Sequence, residues 1–201
     1  MVFGFLLPII NEVSMFNSAL SFEVFVRMVV AGTFFGLWPI LKEYSGADGL
    51  SPVIPIGLVH LFLLGIFIII QFENSGTLRL LLGLSAIVFC ALFFQTMQEH
   101  VVPTLSQGVS VGGAYVYIVG AGLCIGFGTV AFLTGLQLAH TAGGVHAIYV
   151  PFVVMILVQT AIPLAFHATH NGTQLNWVNI IGVPGALLVI FALSYKTSGS
   201  V

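Results

Sequence analysis

The chain has 201 residues, of which 59% are hydrophobic and only 5% are charged, and its mean hydropathy is +1.16. Soluble domains carry about 25% charged residues, so this composition excludes that class. A formal net charge of −2 gives no basic surface for nucleic acid, whose phosphates are bound by clustered Lys and Arg. We therefore predict a multi-pass integral membrane protein that lies in the lipid bilayer.

Six apolar runs of membrane-spanning length follow one another between Phe22 and Tyr195. A helix needs about 20 apolar residues to cross about 30 Å of hydrocarbon. Runs this long and uniformly apolar are typical of helices rather than of alternating barrel strands. We predict an all-α, polytopic transmembrane helix bundle with spans at 22–42, 52–71, 77–97, 113–138, 145–167 and 176–195.

The organisation is that of one transmembrane domain with short connections. The apolar stretch from Met1 to Ile10 lacks a basic flank, which argues against a cleaved signal peptide. An interfacial helix is favoured for residues 1–21, with a partial seventh span as the alternative. Helices one to three are assigned to 22–97, a connecting loop to 98–112, helices four to six to 113–195 and a tail to 196–201.

An internal similarity relates the two halves of the chain. An offset of 96 residues superposes the first three spans on the last three and aligns Gly32-Thr33 with Gly128-Thr129 and Pro55 with Pro151. An odd number of spans in each repeat inverts the second half, an arrangement found in many transporters. This raises the hypothesis of a three-plus-three inverted repeat.

His60 is the ionisable side chain at clear mid-membrane depth. Ionisable groups in hydrocarbon are costly and usually face a cavity or a partner. Three interpretations stay open: a neutral imidazole bonded to a neighbouring carbonyl, a substrate contact in a cavity, or a cofactor ligand. No Asp or Glu occupies the core of any predicted span, which disfavours a proton antiporter built on an intramembrane carboxylate.

The sequence contains no catalytic signature. Nucleophile elbows, HExxH motifs, phosphate-binding glycine loops and paired carboxylates are all missing from it, so we predict no enzyme and no catalytic residue. We also predict no metal site and no cofactor, since the closely spaced histidines lack a third ligand nearby. Pro151 is the most suggestive of the prolines in or near spans, and we take it as a candidate kink and hinge.

Four segments carry a resemblance to a known family. The fourth span ends in Phe132-Leu133-Thr134-Gly135-Leu136-Gln137-Leu138-Ala139 before a tight turn, and the fifth opens with small residues and places Pro151 early. The sixth contains Gly182-Val183-Pro184-Gly185-Ala186-Leu187-Leu188, and the first has Gly36-Leu37-Trp38 followed by Lys42. In this order they resemble the EamA-like branch of the drug/metabolite transporter superfamily, mainly over the C-terminal half.

That resemblance implies a carrier for small organic solutes with a central cavity lined by helices. It places His60, Trp38, Tyr149 and Gln159 near the cavity as substrate-binding residues. Trp38 and Tyr149 have an alternative role as aromatic residues of the membrane interface.

Two functions follow from these features. The leading hypothesis is a small transporter that moves a small organic solute or metabolite across the bilayer by alternating access, as a homo-oligomer. The alternative is a non-catalytic integral subunit of a larger complex, such as a pigment-binding or respiratory assembly. In that assembly the partners are other membrane subunits, and His60 serves as an axial ligand.

Overall fold

The computed structural model describes residues 22–71, 76–143, 149–170 and Gly185. Within those residues every regular element is helical, which confirms the all-α prediction. The elements are α1 (Phe22–Tyr44), α2 (Val53–Gln71), α3 (Gly76–Thr96), α4 (Val111–Gly143) and α5 (Tyr149–His170), with a π-helical turn Met97–Val101 and a 3-10 turn Val102–Thr104 after α3.

Five helical segments of the described chain are long and apolar enough to cross a membrane. They correspond to the first five predicted spans. The sixth predicted span, 176–195, lies outside the described residues except for Gly185, which is helical. Residues 1–21 and the tail 196–201 also lie outside them, so the N-terminal interfacial helix and the six-span count stay predictions.

The connection between α3 and α4 differs from the predicted loop 98–112. Helical turns continue to Thr104, and the irregular chain is limited to 105–110. Met97 and Val101 are fully buried, and their spacing of four residues keeps one apolar face on the helix. The polar residues between them are exposed on the other side, so their polarity does not end the helix. Pro103, in the 3-10 turn that follows, has no amide hydrogen and cannot continue an α-helix.

Hydrogen bonds join the connection between α1 and α2 to the connection between α3 and α4. The Ser106 backbone amide and hydroxyl both donate to the Gly46 carbonyl, at 2.9 Å and 3.0 Å. The Ser51 and Thr104 hydroxyls lie 2.8 Å apart. Gly46 adopts a φ of +66°, a left-handed conformation that glycine takes without steric cost.

The described chain packs into two compact units, divided between Gly36 and Leu37 and between Val130 and Ala131. In the terminal unit, the buried core comprises Val24, Met28, Ala31, Ala139 and Met155. In the central unit, the buried core comprises Ala47, Ile56, Val59, Phe93, Met97, Val101, Ile118 and Ala121. These divisions do not follow the predicted repeat, which stays a hypothesis because its last helix lies outside the described residues.

Two glycines bring α1 against α5 in the terminal unit. A Cβ atom added to Gly32 would lie 2.6 Å from the Met155 carbonyl oxygen and 2.7 Å from Val158 Cβ. One added to Gly36 would lie 3.0 Å from the Gln159 carbonyl oxygen. Glycines four residues apart lie on one face of a helix and allow two backbones to approach closely. A side chain at Gly32 would therefore push the helices apart.

We expect Gly32→Ala to lower the free energy of unfolding by about 1–3 kcal/mol, because the added methyl overpacks against backbone that cannot move aside. Gly83→Ala is the matched control, since Gly83 is also helical but has no atom within 4 Å of an added Cβ. Unfolding of the detergent-solubilised protein by SDS, followed by circular dichroism, measures both. Equal stability of the two variants would contradict the close approach at Gly32.

The loop contact predicts an intramolecular crosslink. Ala47 and Leu105 form an antiparallel bridge, in which the Cα atoms lie about 4.5–5.5 Å apart, within the disulfide range of about 4.4–6.8 Å. The double variant Ala47→Cys and Leu105→Cys should form a disulfide on mild oxidation, detected as a mass loss of two hydrogens. Ala47→Cys alone, which keeps the native Cys90 and Cys124, is the control and should form none.

Candidate functional site

Threonine hydroxyls within the long helices bond to carbonyl oxygens of their own helix. The Thr33 hydroxyl donates to the Val29 carbonyl at 2.8 Å, and the Thr160 hydroxyl donates to the Ile156 carbonyl at 2.9 Å. Thr134 does the same toward Ala131. Such bonds satisfy a hydroxyl without a second helix. They explain how these polar residues are accommodated in apolar helices.

In the central unit, small residues bring α2 against α4. An added Cβ at Gly122 would collide with the Val59 side chain and lie 2.9 Å from the Ile56 carbonyl oxygen. One added at Gly126 would lie 3.2 Å from Leu63 Cβ. The two glycines are four residues apart and so share one face of α4. Short side chains on that face can therefore reach α2 directly.

His60 and Thr129 meet across this contact. His60 Nε2 lies 3.2 Å from Thr129 Oγ1, and the same hydroxyl lies 2.8 Å from the Ile125 carbonyl oxygen one turn earlier. Both side chains are half-buried. His60 lies near the middle of the span-length segment Val53–Ile70. Of the three interpretations that the sequence left open, the hydrogen-bonded imidazole is present, with a threonine hydroxyl as its partner instead of a carbonyl.

Only one ring nitrogen of His60 is used in this contact. No hydrogen bond to Nδ1 is formed by any residue that the structure describes, and no ring nitrogen there is buried without a partner. Nδ1 is therefore accessible and free to form a hydrogen bond with a molecule outside the described chain. Neither α2 nor α4 carries an acidic, lysine or arginine side chain. The two helices that supply His60 and Thr129 therefore place no such charge beside them.

Gln159 is the second polar group at mid-helix. It lies at the centre of α5, where its backbone atoms face Gly32 and Gly36. Its side chain is half-buried. The side-chain amide is accessible and has no hydrogen-bond partner within the described chain. An amide in an apolar surrounding costs a few kcal/mol unless it is hydrogen-bonded, so this group needs a polar partner.

The other predicted site residues have different surroundings. Trp38 is partly buried and packs against the core of the central unit, and its substrate-binding role stays a prediction. Tyr149 is the first residue of α5, and its side chain lies outside the described part of the chain. Pro151 is buried in the first turn of α5, where the missing amide would have no helical partner in any case, so this helix needs no kink there. Its hinge role stays a prediction.

The predicted set is distributed over both units. Trp38 and His60 belong to the central unit, and Gln159, Tyr149 and Pro151 belong to the terminal unit. The partner of His60, Thr129, is the residue that the predicted set lacks. Its position in the middle of the fourth predicted span, directly after Gly128, is the sequence signal that could have indicated it.

Comparison with known proteins gives no match to a family model, to a curated protein or to a solved structure. The resemblance to the EamA-like transporters therefore rests on the sequence motifs alone. In the described parts of the chain, no three His, Cys, Asp or Glu residues lie close enough together to hold a metal ion. His60 could supply a single ligand through Nδ1.

The contact between His60 and Thr129 predicts energetic coupling. In a double-mutant cycle of His60→Ala and Thr129→Val, we expect a coupling free energy of about 0.6 kcal/mol and at most about 1.7 kcal/mol, the range for hydrogen bonds between membrane helices. SDS unfolding measures it. A cycle of His60→Ala with Thr160→Val should be additive, because Thr160 bonds to its own helix. Additivity of both cycles would disprove the contact.

Proposed function

We propose that this protein is a small integral membrane transporter that moves a small organic solute across the bilayer by alternating access. The observation that carries the proposal is the Nδ1 atom of His60, which has no hydrogen-bond partner among the described residues and lies midway along the span-length helix α2. Polar side chains at this depth are costly and are kept mainly where they serve a substrate or ion path. Hydrocarbon offers no partner to the open Nδ1 atom, whereas a polar solute does.

Gln159 supports the same function. Its amide is a donor and an acceptor without a partner among the described residues, halfway along α5. A passing solute can satisfy both kinds of hydrogen bond.

The alternative is a non-catalytic subunit of a larger membrane complex, and the surface of α3 favours it. Large apolar side chains are exposed along one broad face of this helix: Leu80, Leu81, Leu84, Ile87, Val88, Leu92 and Phe94. Lipid tails or the helices of another subunit could cover such a surface. Native mass spectrometry of the gently extracted protein separates the two functions. A single chain or a homo-oligomer agrees with the carrier, whereas bound foreign subunits, pigment or haem would refute it.

A transport assay tests the proposal directly. Purified protein in liposomes is screened for uptake of radiolabelled amines, polyols, amino acids and organic acids against empty liposomes. For any solute taken up, His60→Ala should reduce the initial rate by about tenfold or more, the equivalent of about 1.4 kcal/mol of lost contact. Folding and abundance should stay near those of the wild type.

Thr160→Val is the matched control for uptake, since the hydroxyl it removes bonds only within α5. We expect its rate to equal that of the wild type. Normal uptake by His60→Ala would remove His60 from the transport site. The absence of uptake for every solute class would refute the carrier function itself.

A further inference from the structure

The Thr129 hydroxyl determines which way its hydrogen bond with His60 runs. A hydroxyl has a single hydrogen to donate and can accept with its lone pairs. Its distance of 2.8 Å to the Ile125 carbonyl oxygen is typical of an O–H···O bond. A carbonyl cannot donate, so the threonine hydrogen points to Ile125. The bond with His60 must then use a lone pair of Thr129.

His60 is consequently the donor toward Thr129. Its Nε2 atom lies 3.2 Å from Oγ1, within the range of N–H···O bonds. A neutral imidazole carries hydrogen on one ring nitrogen only. With that hydrogen on Nε2, the Nδ1 atom carries a bare lone pair and is a hydrogen-bond acceptor.

We infer that Thr129 is a positioning residue that fixes the tautomer of His60, and that Nδ1 then binds a hydrogen-bond donor, a hydroxyl or amino group, of a small solute. The assignment of a solute to Nδ1 rests on the proposed transport function, whereas the assignment of the tautomer does not. An acceptor atom attracts donors and repels the oxygens of a carboxylate. With no lysine or arginine on α2 or α4, these helices offer nothing to offset that repulsion.

The tautomer is tested without any transport. Protein labelled with 15N-histidine in lipid nanodiscs gives distinct nitrogen shifts for the two tautomers, and His60→Gln identifies the His60 signals by their loss. We expect the form with hydrogen on Nε2 in the wild type and in Thr129→Ser, which keeps the hydroxyl. Thr129→Val should give a mixture. Hydrogen on Nδ1 in the wild type, or an unchanged spectrum in Thr129→Val, would overturn the positioning role.

The same spectra test the ligand. Xylitol and ethanolamine are the donor-bearing probes, and succinate is the probe that offers mainly acceptors. The Nδ1 resonance should move on addition of at least one donor-bearing probe and stay in place with succinate. No movement with either donor-bearing probe, or movement with succinate alone, would overturn the ligand assignment.

Two replacements of His60 separate the roles of its two nitrogens. In His60→Gln the side-chain amide nitrogen takes the place of Nε2 and keeps a donor toward Thr129. In His60→Asn the side-chain carbonyl oxygen takes the place of Nδ1 and keeps an acceptor for the solute. His60→Gln should therefore keep the melting temperature and lose the uptake of the donor-bearing solute. His60→Asn should lower the melting temperature by about 1–2 °C and keep more of the uptake.

Failure of this inference can be distinguished from failure of the proposed transport function. If the wild type takes up no solute, transport is refuted while the nitrogen shifts still decide the tautomer. If the wild type takes up a solute and the two His60 variants lose uptake equally, the acceptor role of Nδ1 is refuted although transport stands.

Discussion

Hydrocarbon offers no hydrogen bonds, so each polar group in a membrane helix must find its partner within the protein, in water or on a ligand. The α-helix satisfies the backbone, and short hydroxyl side chains such as Thr33 and Thr160 return to carbonyls of their own helix. A histidine ring is bonded here to a second helix instead. Among the mid-helix side chains that the structure describes, His60 and Gln159 have no hydrogen bond to their own helix, and this is why we propose a role for them.

Glycine makes the partnership of His60 with Thr129 geometrically feasible. A threonine hydroxyl is only two bonds from the backbone, so it reaches another helix only where the two backbones lie close together. Gly122 and Gly126 provide this approach between α2 and α4. Gly32 and Gly36 allow the same close approach between α1 and α5 in the terminal unit. Small residues thus determine which polar groups can meet.

The apolar runs predicted five helices to within a few residues, because run length and the thickness of hydrocarbon leave few alternatives. They predicted the end of α3 less well, since a polar run on one face is compatible with helix when Met97 and Val101 are buried on the other. Of the two residues in the His60–Thr129 contact, the sequence singled out only the histidine as a candidate. Thr33 and Thr129 both follow a glycine in mid-span, and only the fold shows that Thr129 faces a histidine from another helix.

The length of α4 has a consequence for the setting of the site. Its 33 residues extend about 50 Å at about 1.5 Å per residue, well beyond a hydrocarbon core of about 30 Å. Even at a tilt of about 40°, the upper end of the usual range, about 26 residues fill the core. If α4 crosses a bilayer, several residues at its ends, such as Val111 and Gly143, lie among the headgroups. A thinner bilayer would tilt such a helix further, so lipid composition would act mechanically on the segment that supplies Thr129.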